Sequence, residues 1–145
     1  MSTSGPRGAP PDVDAGRSTR VRQVMHPPAT TVEPRAHLAA AAYLIKKSGD
    51  SALVVTTDDG NRRPLGIVTD SDISQAVADG RDLEQVRISD LLSRRMVDVA
   101  PGTSVDEAAR LMLERGLHHL LVVEDGGLVG IVDVMDVCRA LMGAP

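Results

Sequence analysis

The chain has no phenylalanine and no tryptophan, and its single tyrosine is Tyr43. A core must therefore be built from Val, Leu, Ile, Ala and Met, and the aromatic platforms on which single-stranded nucleic acids stack are missing. Excess positive charge is missing too: 16 Lys and Arg stand against 20 Asp and Glu, a net charge of -4. Nothing attracts a phosphate backbone, so nucleic acid is not an expected partner. The one cysteine, Cys138, excludes an internal disulfide and fits a reducing compartment. No apolar run is long enough to span a membrane, and residues 1–18 contain no apolar signal-peptide segment. The expectation is a soluble, unsecreted, cytoplasmic protein without a membrane partner.

What the sequence does have is a repeat. Gly66 to Ile73 (GIVTDSDI) returns as Gly130 to Val137 (GIVDVMDV), 64 residues on. Upstream, Val21 to Met25 aligns with Ile88 to Leu92, Val32-Glu33-Pro34 with Val99-Ala100-Pro101, and Ser48-Gly49 with Arg115-Gly116, all offset by 67. Three extra residues between Val55 and Leu65 absorb the difference. One unit of about 55 residues has thus been duplicated, and any site it carries occurs in two versions. The expected organisation is a flexible tail at 1–20, rich in Gly, Pro, Ser and Arg, then a first copy at 21–80, a linker at 81–87 and a second copy at 88–145.

Within each copy a short strand (Thr30 to Val32, Val97 to Val99) stops at proline and a helix follows. Val105, Ala108, Ala109 and Met112 recur at helical spacing, behind a Ser104-x-x-Glu107 capping box. The first copy carries Leu38, Ala41, Ala42 and Ile45 on one face but Ala36 and His37 where cappers belong, a start weaker by roughly 1 kcal/mol. Gly49 and Gly116 are suited to left-handed helix ends. Two unbroken apolar runs per copy, joined by Asp58-Asp59-Gly60-Asn61 or Asp125-Gly126-Gly127, read as hairpins whose strands are covered on both faces. A second helix starts at Thr69 or Asp133. Each copy is β-α-β-β-α, and a three-stranded sheet with helices on one face needs a cover, which the other copy would supply.

Thr69 and Asp72 are the leading candidate site residues. A threonine at a helix start puts its hydroxyl beside free backbone amides, which with the helix dipole attract phosphate. The carboxylate of Asp72, one turn in, accepts hydrogen bonds and can take both hydroxyls of a ribose. The same Thr-x-x-Asp pattern is also an ordinary helix N-terminus, with a threonine cap and a favoured acid. In the second copy Asp133 replaces the threonine and Asp136 keeps the acid. A phosphate about 5 Å from Asp133 would be repelled by roughly 3 kcal/mol at an effective dielectric of about 20, about two decades of affinity. The second site is therefore expected to be weak or empty for a phosphorylated ligand, and an unphosphorylated adenosine group or a cation would suffer less there. His118-His119 enters a strand, where neighbours point to opposite faces, so no metal site is expected. His26 and His37 have no visible partner, Cys138 reads as a small buried hydrophobe, and Tyr43 reads as half-buried beside an apolar stripe. No activated nucleophile is visible, so no enzyme activity is expected.

The order β-α-β-β-α, the G-h-h-T-x-x-D-h signature after the third strand and the V-x-P turn before the first helix resemble the CBS (cystathionine β-synthase) domain, from Val21 to Leu141. The resemblance implies an α/β (α+β) fold of two repeats packed sheet to sheet about a pseudo-two-fold axis, and pairs that form homodimers. It also implies a regulatory ligand containing adenosine, such as AMP, ADP or ATP, with no catalytic cofactor. Asp72 would hold the ribose and Thr69 the ribose-phosphate edge, assisted by the amides of Asp70 and Ser71. Ser51 and Ala52 would line the near side, and Arg95, Met96, Val97, Leu117 and His118 of the other repeat the far side. Asp133 and Asp136 mark the second cleft. The implied role is a sensor that signals to a partner protein; the alternative is a ligand-free dimerisation module.

Overall fold

The computed structural model describes residues 19–27, 30–92 and 97–143. The first copy supplies β1 (Thr31–Val32), α1 (Leu38–Ser48), β2 (Ala52–Thr56), β3 (Pro64–Thr69) and α2 (Asp70–Ala78). The second supplies β4 (Asp98–Val99), α3 (Val105–Arg115), β5 (His119–Glu124), β6 (Gly127–Asp133) and α4 (Val134–Leu141). A single 3-10 turn precedes each set, at Val21–Gln23 and Ile88–Asp90. The protein is α+β, with two three-stranded sheets ordered β1-β2-β3 and β4-β5-β6.

In each sheet the short first strand runs parallel to its neighbour, Thr31 opposite Val54 and Asp98 opposite Leu121. Parallel neighbours need a crossover, which α1 and α3 provide. The hairpins add the third strands, with a register shift in the first between Val55 and Thr56. The middle strands fit the expectation of cover on both faces: Leu53, Val54, Val55 and Leu120, Leu121, Val122 are all buried. β3 does not. It is an edge strand and its burial alternates, with Leu65 exposed between buried Pro64 and Gly66.

The chain divides into two compact units whose limits differ from those of the repeat. One holds residues 28–97 with 125–128, and the other holds residues up to 27, 98–124 and 129 onward. Each unit is thus completed by the lead-in segment of the opposite copy. In the first, Ile88 is fully buried in the core with Val32, Leu38, Leu53, Val55 and Val68, a burial worth about 1.5–3 kcal/mol. In the second, Val21 is fully buried and its amide donates to the Thr103 carbonyl. His26 there exchanges both backbone hydrogen bonds with Ile131, each 2.9 Å. This strap lies so close to β6 that a side chain at Gly130 would have its Cβ 2.6 Å from Met25 Sδ. Most of the expected tail, residues 1–18, lies outside the described residues. Thr19 and Arg20 do not belong to a tail: the Thr19 carbonyl accepts from Val105, and Arg20 bridges to Ser104.

Helix ends follow the sequence with two differences. Gly49 and Gly116 end α1 and α3 at φ of 78° and 64°. Ser104 Oγ accepts from the Glu107 amide at 3.1 Å, so half of the capping box forms. α1 has no side-chain cap at His37. Its exposed amides are nonetheless satisfied, because the Leu38 and Ala39 amides donate to the Val86 and Leu83 carbonyls. The stretch between the copies therefore serves as the cap that the sequence lacks, and the expected weakness of α1 is made good.

Candidate functional site

The site begins where β3 becomes α2. Thr69 leaves the strand in extended conformation and caps the helix. Its Oγ1 accepts from the Asp72 amide at 3.2 Å, and Asp72 Oδ2 accepts from the Thr69 amide at 2.8 Å. This reciprocal box locks the Asp72 side chain against the helix start. It commits one carboxylate oxygen and leaves Oδ1 without a hydrogen bond among the described residues. Asp72 is half-buried, as a group reaching from a helix end towards solvent should be.

Ser51 and Ala52 lie alongside. Ala52 pairs with Thr69 across the β2–β3 ladder, and the Ser51 carbonyl accepts from the Asp70 amide at 3.0 Å. That amide is therefore spoken for, and of the two amides expected to face a phosphate only Ser71's remains in the first turn. The structure thus brings together Ser51, Ala52, Thr69, Asp70, Ser71 and Asp72. An open depression of about 410 Å³ on the outer side of α2 is lined by Asp70, Ser71, Ser74, Gln75 and Ala78. Arg95 and Met96 lie outside the described residues, and Val97 is half-buried just before β4. Leu117 and His118 belong to the other unit, where the His118 carbonyl accepts from the Val134 amide at 2.9 Å. His118 thus does for α4 what Ser51 does for α2.

The second version of the site starts from the same local geometry. Asp133 caps α4 and accepts from the Asp136 amide at 2.8 Å, while Asp136 Oδ2 accepts from the Asp133 amide at 3.0 Å. The other oxygen has a different fate. His26 Nε2 lies 2.7 Å from Asp136 Oδ1, and Arg139 donates to the same atom at 2.9 Å. The Asp136 side chain is only 3% exposed. Burial on its own would raise this carboxyl, but the Asp133 amide and the His26 contact outweigh it and hold the group below its usual range.

His26 and Arg139 were not visible as site residues in the sequence, and His26 was expected to lack a partner. Its partner is 110 residues away, beyond the reach of any local pattern. Arg139 could have been found, since Asp and Arg three apart share a helix face. Two further expectations are corrected. Cys138 is exposed, because α4 turns Asp136 and Val137 inward instead. Tyr43 is 62% exposed, with Lys47 Nζ 5.9 Å from its ring centroid. Among the described residues no group of three or more His, Cys, Asp or Glu could hold a metal ion, and no helix is long and apolar enough to cross a membrane.

The CBS domain family profile matches residues 21–79 and 88–143, which take in both helix-start acids and both lead-in segments. The chain belongs to the CBS domain family. A Methanopyrus kandleri protein is 29% identical over 125 residues, covering 85% of this chain and 63% of its own length. A crystal structure of a CBS-domain protein from Agrobacterium tumefaciens is 29% identical, with a TM-score of 0.76 over 85% of this chain and 93% of that one. A CBS-domain protein from Pyrobaculum aerophilum, complexed with AMP, is 25% identical, with a TM-score of 0.75 over 82% and 90%. The two sites described above are thus the helix starts of two CBS repeats, alike in backbone and unlike in what reaches the acid.

Proposed function

We propose that this CBS pair is a non-catalytic regulatory module that takes an adenosine-containing ligand such as AMP, ADP or ATP at its first repeat. Asp72 accepts from the ribose hydroxyls, and Thr69 with the Ser71 amide attends the phosphate edge. Ala52 and Val97 offer apolar contact to the base. Occupancy then biases the shape or pairing of a homodimer in the cytoplasm, and a partner protein responds.

The observation that carries this reading is the half-buried Asp72 carboxylate, held by the Thr69 capping box with one oxygen left without a hydrogen bond among the described residues. A ribose hydroxyl needs such an acceptor. The AMP complex of the related Pyrobaculum aerophilum protein supports the ligand class. A thermal-shift panel of AMP, ADP, ATP, NAD and S-adenosylmethionine tests it. A ligand at about 100 times its dissociation constant adds about 2.7 kcal/mol to stability, and that shift should vanish in Thr69→Ala and Asp72→Ala.

One observation favours a second reading, a ligand-free assembly module. Tyr43, Val77, Leu113, Met135 and Met142 are large apolar side chains more than half exposed, on or just after all four helices. If no adenine compound shifts the melting temperature while the chain still self-associates, assembly is the function.

A further inference from the structure

The two repeats present the same acid at the same helix position, and one of them is already occupied. Both carboxylates spend Oδ2 on the cap amide. Asp72 Oδ1 has no partner among the described residues, whereas Asp136 Oδ1 receives His26 and Arg139. His26 comes from the strap, whose backbone is pinned to β6 by two hydrogen bonds with Ile131, so the imidazole is delivered to the carboxylate by the fold and not by chance rotation. The imidazole is 59% exposed over a carboxylate that is 3% exposed. It stands between the acid and water. By the repeat alignment Ser93 occupies the position of His26 and Gln75 that of Arg139, so the first repeat has neither the imidazole nor the guanidinium.

We infer that His26, with Arg139, is a built-in occupant of the second repeat's acid and restricts ribose binding to the first repeat. This rests on the reading of Asp72 as the ribose acid. It differs from an account based on charge alone. If Asp133 excluded ligands only by repelling phosphate, an uncharged nucleoside would still enter the second repeat. With the second oxygen of the acid occupied by two of the chain's own side chains, adenosine is excluded as well.

Adenosine is therefore the probe, titrated calorimetrically into the full chain. Wild type should bind one adenosine, lost in Asp72→Ala and kept in Asp136→Ala. The double variant His26→Ser, Arg139→Gln, which gives the second repeat the residues of the first, should bind two, the added one lost on further change of Asp136→Ala. Two sites in wild type, one of them dependent on Asp136, would overturn the inference. So would a double variant, folded by circular dichroism, that gains no site. Should it not fold, the stoichiometry of wild type against Asp136→Ala decides: one site unaffected by Asp136→Ala supports the inference, and a second, Asp136-dependent site overturns it. A wild-type chain that binds no adenosine sinks the reading of Asp72 alone; the occupancy claim then stands or falls on whether the variant acquires an Asp136-dependent site.

Discussion

Asp72 and Asp136 differ by what reaches them. The carboxylate of Asp136 is buried and held by an amide, an imidazole and a guanidinium, the last two on side chains at least half exposed, where solvent screening reduces what each contributes. Its folded value lies below its ordinary value of 3.8. A depressed carboxyl stabilises the fold fully above the unfolded value, and the contribution disappears as pH falls through the folded one. Urea unfolding of wild type and Asp136→Asn should therefore differ by about 1–3 kcal/mol at neutral pH, and the gap should close as pH drops below the ordinary carboxyl value. A gap that stays constant down to acid pH would mean that the carboxylate's charge has no part in holding the strap.

At the scale of elements, the caps show how sequence and tertiary structure share one task. Ser104 supplies the Glu107 amide with an oxygen, so Ser104→Ala should cost about 1 kcal/mol. His37→Ser installs the favoured residue at the equivalent position of α1, yet the first amides there already donate to Leu83 and Val86. The expected gain is within about 0.5 kcal/mol. Chemical denaturation of both variants checks this; a gain near 1 kcal/mol in His37→Ser would show that the inter-repeat carbonyls do not cap α1. The same contrast marks what could be read beforehand. Repeating residues, glycine helix ends and helix-start Thr69 and Asp133 are local signals, and each is where the pattern put it. The alternating burial of β3 escaped because an apolar run does not reveal whether its strand is central or at an edge. The contact of Asp136 with His26 escaped because the two lie 110 residues apart.

At the scale of the whole molecule, each repeat is finished by the lead-in of the other. Removing residues 1–27 takes fully buried Val21 and the Ile131 pairing from the second unit and leaves Ile88 in the first. Hydrogen exchange should then report lost protection in β5 and β6 with protection kept in β2 and β3. Equal loss in both sheets would contradict the exchange of lead-in segments as the organising feature. The same exchange brings His26 to the second acid, while the first has no such partner among the described residues, so the asymmetry of the two repeats is a property of the entire chain.

That asymmetry is tested most directly by calorimetric titration of AMP into wild type, Asp72→Ala and Asp136→Ala. The account expects one site in wild type, affinity weakened by at least about tenfold in Asp72→Ala, equivalent to about 1.4 kcal/mol, and unchanged affinity in Asp136→Ala. AMP binding that survives Asp72→Ala and disappears with Asp136→Ala would contradict it.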